Sequence, residues 1–506
     1  MSPPRIVAFL CDACAYAAAD EAGRARHEHP QTLLTIRVAC AGRVEPAFVI
    51  QALRGGADGV LVGGCHPGDC RYVDGNLRAE SRLTLLARAL AQAGIEPERV
   101  RVEWFGANEG ERFARVVREM SEALQALPLG GSDLLPPHPA LSPGGGEGMI
   151  PMGELSPGGG EGMIPMGELS PGGGEGRSSL AEAGRVQGRR PRIAFYWNAS
   201  CGGCEEAVID LGEGLPRLME RAEVVLWPAA VDAKRGEIEA LPDGAIDVAF
   251  LNGAIRLDEQ ADWARLLRRK ARRVVAFGAC AQLGGIVGLG DLDGPEAILD
   301  AAYGPGVASV SNPGAPGATG PGDAIPLPRL LPRTLPLDRV VTVDAFVPGC
   351  PPSQTIVEQA IEALLSDSPP GGGAVLAPDA SLCETCPLKD SRPERPELRA
   401  LRRLAAEVPE PGRCFLAQGI ACSGPATRQG CQPGCVEAVM PCRGCFGPVS
   451  GAGDAGAAMV GAFGSLLCGD AGERALLASA LPDPAGTFWR YGWAAGMPAR
   501  ARRGEG

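Results

Sequence analysis

The sequence predicts an α/β protein with two parallel-sheet, flavodoxin-like modules, a linker between them and a loop-rich C-terminal segment. Three observations predict this class. Short apolar runs alternate with helical patterns in residues 1–127 and again in 191–370, which is typical of parallel sheets. A Gly/Pro-dense repeat separates these two stretches. Residues 371–470 contain nine cysteines but little regular pattern, as expected for a segment organised around metal clusters.

The first module, residues 1–127, contains four runs that read as buried strands because they are short, apolar and rich in β-branched or aromatic residues. These runs are residues 6–10, 35–39, 59–63 and 101–105. Residues 110–124 place their apolar side chains on one helical face, so we expect an amphipathic helix there.

Residues 128–190 form the predicted linker. The unit LSPGGGEGMIPMGE occupies 141–154, repeats at 155–168 and begins a third time at 169. Glycine and proline at this density bury too little apolar surface to offset chain entropy, so we expect a disordered tether. Such a tether would permit each module to dock independently, at high effective concentration.

The second module, residues 191–370, contains five predicted strands, and 304–337 reads as a Pro/Gly-rich surface excursion. The predicted strands are residues 192–197, 223–227, 247–251, 273–278 and 339–346. Residues 371–506 form the predicted C-terminal iron–sulfur segment, in which only 397–407 shows a helical pattern before residue 470.

Composition narrows the class of protein. The net charge is −12, which argues against nucleic acid as a partner because that binding depends on neutralising phosphates. We expect neither a membrane span, for want of about 18 consecutive apolar residues, nor a secretory signal, which predicts a cytoplasmic protein. In that reducing compartment, cysteines at CxxC spacing indicate metal or redox sites rather than disulfides.

The 18 cysteines follow a positional rule, since many of them come directly after a predicted strand. Cys11, Cys40 and Cys65 do so in the first module, and Cys280 and Cys350 in the second. Ligands gather outside the carboxyl ends of parallel strands, so each group is expected to converge at one sheet edge. A helix N-terminus near such a group favours the negative charge of a thiolate-ligated cluster.

Four sets result, which we name by position. The strand-end set provides four thiolates, as one [4Fe–4S] cluster needs: Cys201, Cys204, Cys280 and Cys350. The first tail set is Cys383, Cys386, Cys414 and Cys422. The second tail set is Cys431, Cys435, Cys442 and Cys445. The N-terminal set has one thiol more than a [2Fe–2S] cluster needs: Cys11, Cys14, Cys40, Cys65 and Cys70.

Several alternatives stay open. The eight tail cysteines could divide between two [4Fe–4S] clusters in an interleaved order instead of first four and last four. Four-cysteine sites could hold zinc, and Cys11 with Cys14 could be a thioredoxin-like dithiol. Cys468 is left over and is expected to be a small buried apolar residue. We lean towards Cys65 rather than Cys70 as a ligand because Cys65 ends a strand.

Residues 191–470 resemble the small subunit of F420-non-reducing, methyl-viologen-reducing [NiFe] hydrogenases, which is related to the 20-kDa subunit of NADH:quinone oxidoreductase. The motifs that carry the resemblance are CGGCEE, GACAQLGG, VPGCPPS, CETCPLKDSRPE and the run from CFLAQGIACSGPATRQGC to MPCRGCFGP. Residues 5–127 resemble the delta, or iron–sulfur D, subunit of the same hydrogenases through CDACAYAAADEAGRAR, ACAGRVEP and GADGVLVGGCHPGDCRYVDGN. That family usually has histidine after GDC, where this chain has Arg71.

The resemblance implies three [4Fe–4S] clusters and one [2Fe–2S] cluster in an electron-transfer subunit that is not catalytic alone. The strand-end set would face the NiFe site of a hydrogenase-type large subunit, and the N-terminal set would relay electrons to a heterodisulfide reductase-like flavoprotein, or the reverse. Two other classes of function stay open. One is a subunit of a complex I-like or formate-linked oxidoreductase, and the other is a non-redox zinc scaffold.

Overall fold

The computed structural model describes residues 3–127, 189–304, 328–394, 396–432 and 434–496. Residues 128–188 contain the predicted linker except for its last two residues. Residues 305–327 contain most of the predicted surface excursion. Both of these stretches lie outside the described residues.

The first module contains a parallel sheet in the order β2-β1-β3-β4, and its central strand β3 is buried along its whole length. Its strands are β1 (Ile6–Cys11), β2 (Leu33–Val38), β3 (Gly59–Gly64) and β4 (Val100–Trp104). Its helices are α1 (Ala15–Arg24), α2 (Pro46–Arg54), α3 (Gly75–Gln92) and α4 (Gly110–Ala126). Helix α4 packs on α1, as its predicted apolar face requires.

The second module contains a longer parallel sheet. Its strands are β5 (Arg192–Trp197), β6 (Glu223–Leu226), β7 (Ile246–Asn252), β9 (Ala271–Phe277), β11 (Ala345–Val347) and β12 (Ala374–Val375), in the order β12-β11-β9-β7-β5-β6. An antiparallel pair flanks it, formed by β8 (Ile255–Leu257) and β10 (Leu330–Leu335). The helices are α5 (Gly203–Ile209), α6 (Gly214–Arg221), α7 (Arg235–Ala240), α8 (Asp258–Lys270), α9 (Ala279–Leu283), α10 (Pro295–Tyr303) and α11 (Gln354–Leu364).

The C-terminal segment is mostly irregular up to residue 454 and helical beyond it. Its helices are α12 (Gly434–Glu437), α13 (Ala455–Gly464), α14 (Ala471–Ala480), α15 (Pro484–Phe488) and α16 (Trp493–Gly496). Asp454 caps α13, because its carboxylate accepts a hydrogen bond from the Ala457 N–H at 2.5 Å. The prediction of two parallel α/β sheets is confirmed, whereas the helical C-terminal end was not predicted.

Three local predictions are wrong. Residues 330–335 of the predicted surface excursion form strand β10, in which Thr334 is fully buried. Residues 397–407 form no helix, because the Leu398 N–H bonds to the Leu466 carbonyl and the Arg402 N–H to the Gly419 carbonyl. The predicted strand 339–346 is largely absent. Strand β11 begins only at Ala345, because Leu337–Arg339 form a 3-10 helix and the Leu337 carbonyl accepts the Val340 and Val341 N–H groups. Tertiary hydrogen bonds override the local pattern in 397–407, and a local turn does so here.

The first module packs against the C-terminal segment, so it is not free to dock independently, as a flexible tether would permit. Helix α3 of the first module contacts α13, α14 and α15 of the C-terminal segment. Leu83 and Leu86 of α3 share one buried cluster with Phe463 and Phe488. Continuous apolar burial of this kind is what holds domains in a fixed relative position.

Polar contacts reinforce this interface. The Arg82 guanidinium donates to the Ser465 hydroxyl at 2.7 Å and to the Gly42 carbonyl at 2.9 Å. Gln92 donates to the Asp483 carboxylate at 3.1 Å and accepts the Ala485 N–H at 2.9 Å. Because Arg82 is only 9% exposed, these bonds replace the water that its charge loses on burial.

A helix needs about 20 mostly apolar residues to cross a lipid bilayer. Among the described residues, no helix is both long enough and apolar enough to do so.

Candidate iron–sulfur centres

The five cysteines of the N-terminal set meet at the carboxyl ends of β1, β2 and β3. Cys11 ends β1, Cys40 follows β2 and Cys65 follows β3, as the sequence predicts. Sγ of Cys11 lies 3.4 Å from Sγ of Cys65, which also contacts Cys14. Sγ of Cys40 lies 3.9 Å from Sγ of Cys70. The set therefore comprises a group of three sulfurs and a neighbouring pair.

Burial makes two thiols of this set, those of Cys65 and Cys40, harder to ionise. Desolvation, followed by hydrogen bonds to Cys14 and Cys11, raises the pKa of the Cys65 thiol. Desolvation likewise raises the pKa of Cys40, although the Gly42 N–H donates to its sulfur at 3.4 Å and opposes the shift. Bound iron supplies the positive charge that such crowded thiolates need, so binding it would release protons.

A glycine leaves the space beside the Cys40–Cys70 pair. A Cβ at Gly75 would collide with Sγ of Cys40 and lie 3.3 Å from Sγ of Cys70. Gly75 also begins α3, so its backbone cannot retreat without moving the helix. Only glycine at this position lets α3 begin so close to the two sulfurs.

We expect Gly75→Ala to remove the cluster of the N-terminal set and leave the other clusters in place. The added methyl group would clash with the Cys40 sulfur, and overpacking costs roughly 1–3 kcal/mol where the surroundings cannot move. Iron content and the EPR spectrum of the reduced protein measure the loss. Gly23→Ala is the matched control, because a Cβ at Gly23, just before the end of α1, meets nothing within 4 Å. Unchanged iron content and an unchanged EPR spectrum in Gly75→Ala would contradict the expectation.

The strand-end set converges in the same way on the second sheet. Cys201 lies in the loop after β5, Cys204 lies on α5, Cys280 lies on α9 after β9, and Cys350 follows β11. Electrostatic interactions link Cys204 with each of the other three sulfurs. The structure therefore brings these four distant residues together at one edge of the sheet.

Two glycines line the strand-end set. A Cβ at Gly278 would collide with Sγ of Cys204, and one at Gly285 with Sγ of Cys280. Both glycines have positive φ, 88° and 62°, which other residues adopt only with strain. Burial, with the neighbouring Cys350 and Cys201 thiols, raises the pKa of Cys280 to about 11. Cys201 is the exposed member of this set.

The tail cysteines lie near one another. Most of their electrostatic interactions fall within the first four or within the last four, apart from Cys422 with Cys442 and Cys386 with Cys431. Cys383 interacts electrostatically with Cys386 and Cys414, and a Cβ at Gly424 would lie 3.1 Å from Sγ of Cys383 and 3.6 Å from Sγ of Cys422. These contacts join the whole first tail set.

The second tail set is joined in the same manner. Cys431 interacts with Cys435, and both interact with Cys442. Cys445 interacts with Cys442 and Cys431. Burial raises the pKa of Cys442 to about 12, and the Thr427 hydroxyl, 3.5 Å from its sulfur, opposes the shift.

Contacts between sets place them in a series. Cys445 of the second tail set interacts with Cys350 of the strand-end set, and Cys442 interacts with Cys422 of the first tail set. Helix α13 then packs against both α3, which begins beside the N-terminal set, and the turn Gly424–Ala426, which touches the first tail set. The order in space is strand-end set, second tail set, first tail set, N-terminal set.

Cys468 belongs to none of these sets. It is half-buried rather than buried, and its thiol donates to the Leu466 carbonyl at 3.5 Å. Within the described ranges, no three Cys, His, Asp or Glu side chains are arranged to hold one metal ion, so the sets are groupings of sulfurs within electrostatic reach.

Parallel sheets whose strand ends present sets of cysteines, together with a cysteine-rich tail, define an iron–sulfur protein of the oxidoreductase class. Family models match two parts of the chain. Residues 6–128 match the methyl-viologen-reducing hydrogenase delta subunit, and residues 201–364 match the 20-kDa subunit of NADH ubiquinone oxidoreductase.

Curated relatives agree with this division. The G-type iron–sulfur subunit of the F420-non-reducing hydrogenase of Archaeoglobus profundus is 32% identical over 54% of this chain and 88% of its own length. The D-type iron–sulfur subunit of the same organism is 51% identical over 24% of this chain and 90% of its own length. The chain therefore belongs to the F420-non-reducing hydrogenase iron–sulfur subunits, with a D-type and a G-type part in one polypeptide.

A third relative connects the D-type part with a different complex. The A-type subunit of the ferredoxin/F420H2-dependent CoB-CoM heterodisulfide reductase of Methanosarcina acetivorans is 44% identical over 25% of this chain. The match spans only 16% of that protein, so it concerns one part of the relative and not its whole activity.

Proposed function

We propose that this chain transfers electrons between a [NiFe] hydrogenase-type large subunit and a heterodisulfide reductase-like flavoprotein. The observation that carries the proposal is the series of four cysteine sets, in which each set lies near the next. Cys350 interacts with Cys445, Cys442 interacts with Cys422, and α13 packs between the first tail set and α3. Electrons could pass along this series in either direction, because reduction potentials depend on cluster surroundings as well as type.

We propose that the strand-end set and the two tail sets each hold one [4Fe–4S] cluster, and that four of the five N-terminal thiols hold a [2Fe–2S] cluster. Iron–sulfur clusters supply one-electron redox chemistry at these positions. The chain's own residues supply thiolates, glycine-lined space and low polarity. Gly75, Gly278, Gly285 and Gly424 support this fit, since a side chain at each would meet a ligand sulfur.

The large subunit would dock on the open face of the strand-end set. Cys201 is exposed there, and the neighbouring Trp197 is 48% exposed although it is a large aromatic residue. Exposed aromatic residues are enriched at protein interfaces. This chain would then serve in electron transfer and would not be a catalyst alone. We also propose a cytoplasmic location, module boundaries at 1–127, 191–370 and 371–506, and flavodoxin-like sheets, which the strand orders support.

Hydrogen-dependent reduction tests this function. In the complex isolated anaerobically from its native cells, hydrogen should reduce the clusters of this chain, and chain purified without the large subunit should not respond to hydrogen. Hydrogen uptake by the isolated chain would contradict the proposal, as would clusters that stay oxidised under hydrogen in the complex.

We expect Cys65→Ser to remove the [2Fe–2S] signal. Cys65 lies 3.4 Å from Cys11 and also contacts Cys14, so it belongs to the group of three sulfurs. Cys70→Ser is the paired variant, and it identifies the surplus thiol if it keeps the signal. Iron content and EPR of the reduced protein measure both variants. Loss in Cys70→Ser with retention in Cys65→Ser would reverse the assignment.

Two other functions are the alternatives to this proposal. The 20-kDa subunit match favours a complex I-like or formate-linked oxidoreductase as the second candidate. The neighbouring gene distinguishes them, because a large subunit with two CxxC pairs indicates a hydrogenase. The zinc scaffold is the third candidate, and metal analysis separates it from both electron-transfer functions.

A further inference from the structure

Tyr491 lies at the boundary between the strand-end set and the second tail set. Its backbone carbonyl accepts the Gly285 N–H at 3.0 Å. Gly285 in turn packs so closely on Cys280 that a Cβ would collide with the sulfur. The backbone of Tyr491 is therefore fixed against the strand-end set, although 141 positions separate it from Cys350 in the sequence.

The side chain of Tyr491 extends into the gap between the two sets. Its hydroxyl forms a hydrogen bond with the Cys350 sulfur and lies within electrostatic range of Cys445. Tyr491 also lines a small cavity together with Arg443 and Gly444, the two residues that separate Cys442 from Cys445 in the chain. One phenol therefore borders both sets.

We propose that Tyr491 is a positioning residue whose hydroxyl donates a hydrogen bond to the Cys350 thiolate and thereby raises the reduction potential of the strand-end cluster. The inference rests on the proposed function, because it concerns the cluster assigned to that set. Tyr491 would then be a residue outside the cysteine motifs that adjusts electron transfer between the strand-end cluster and the cluster of the second tail set.

The physical reason is electrostatic. Reduction adds negative charge to a cluster and its thiolates, and a hydrogen bond to a ligand sulfur stabilises that charge. A phenol is protonated at neutral pH, so the Tyr491 hydroxyl can donate to the Cys350 sulfur. A donor to one sulfur changes the potential of that cluster without changing its ligands.

Tyr491→Phe removes the hydroxyl and leaves the ring. We expect a lower midpoint potential for the strand-end cluster in an EPR-monitored redox titration of the full chain. The ratio of reduced to oxidised cluster at a fixed potential should fall about tenfold, which corresponds to about 59 mV for one electron. Tyr196→Phe is the matched control, because Tyr196 is also a partly buried tyrosine but stacks on Trp263 at 4.6 Å. The midpoint potential should stay unchanged in that control.

Electron–nuclear double resonance provides a second readout that a merely structural role would not move. In the wild-type chain, transfer to D2O should exchange a proton coupled to the reduced strand-end cluster, and Tyr491→Phe should lack that proton. A wild-type cluster without such a proton would overturn the inference even if the variant failed to fold. An unchanged potential in Tyr491→Phe would overturn it as well, whereas a wild-type chain with no reducible iron would contradict the proposed function itself.

Discussion

Cys280→Ala is expected to remove one [4Fe–4S] signal and about four iron atoms per chain, while the [2Fe–2S] signal stays intact. Cys280 lies on α9 directly after β9, where it interacts with Cys350 and Cys201 and has Gly285 packed against its sulfur. Alanine has no ligand atom, so the remaining three thiolates cannot complete the site. Electron transfer from the large subunit should be abolished, because this set is the first of the series.

Cys468→Ala is the matched control for this loss. Cys468 is half-buried and lies outside the four sets, so its removal should leave iron content and all EPR signals unchanged. Loss of the [2Fe–2S] signal in Cys280→Ala would contradict the assignment of these cysteines to separate sets. Full iron content in Cys280→Ala would show that Cys280 is no ligand.

Gly464→Val is expected to separate the first module from the C-terminal segment without touching a cysteine set. A Cβ at Gly464 on α13 would lie 2.9 Å from the Cα of Arg82 on α3, and one at Gly461 would collide with the Glu45 carboxylate. These glycines let α13 approach the first module closely. Overpacking such a contact costs roughly 1–3 kcal/mol, which weakens docking about 5- to 150-fold.

A protease site inserted into the repeat at 141–176 allows a direct measurement. After cleavage, the wild-type fragments should stay together in gel filtration, and the Gly464→Val fragments should separate. Gly236→Val is the control, because Gly236 lies on α7 and a Cβ there meets nothing within 4 Å. Wild-type fragments that separate on cleavage would contradict the fixed interface. Separation should also stop electron transfer between the tail sets and the N-terminal set.

The sequence was sufficient to place those cysteines whose position depends on the strand just before them in the chain. A cysteine that directly follows a buried strand must lie at the carboxyl edge of a parallel sheet, so Cys11, Cys65, Cys280 and Cys350 could be placed without a structure. The tail was harder, since its sulfurs are brought together by turns. Spacing alone favoured one division of the tail cysteines and left an interleaved one open.

Long-range packing could not be predicted. Arg82 lies in an ordinary helical pattern, yet it bonds to Ser465, 383 positions further along the chain. The Gly/Pro-rich repeat suggested that the domains on either side could move independently. The composition of a linker indicates how flexible it is, but it does not show whether the domains that it joins pack against each other. Residues 397–407 show the same limit, since their helical periodicity gives way to pairing with distant backbone at Leu466 and Gly419. Tyr491 belongs to no sequence motif, and its role is inferred only from its hydrogen bond with Cys350 in the structure.

The most direct test of the electron-carrier assignment is the metal content of the full chain purified without oxygen. Three [4Fe–4S] clusters and one [2Fe–2S] cluster predict about 14 iron atoms per chain and EPR signals that develop on reduction. Zinc in place of iron, with no signal from a reducible cluster, would contradict it.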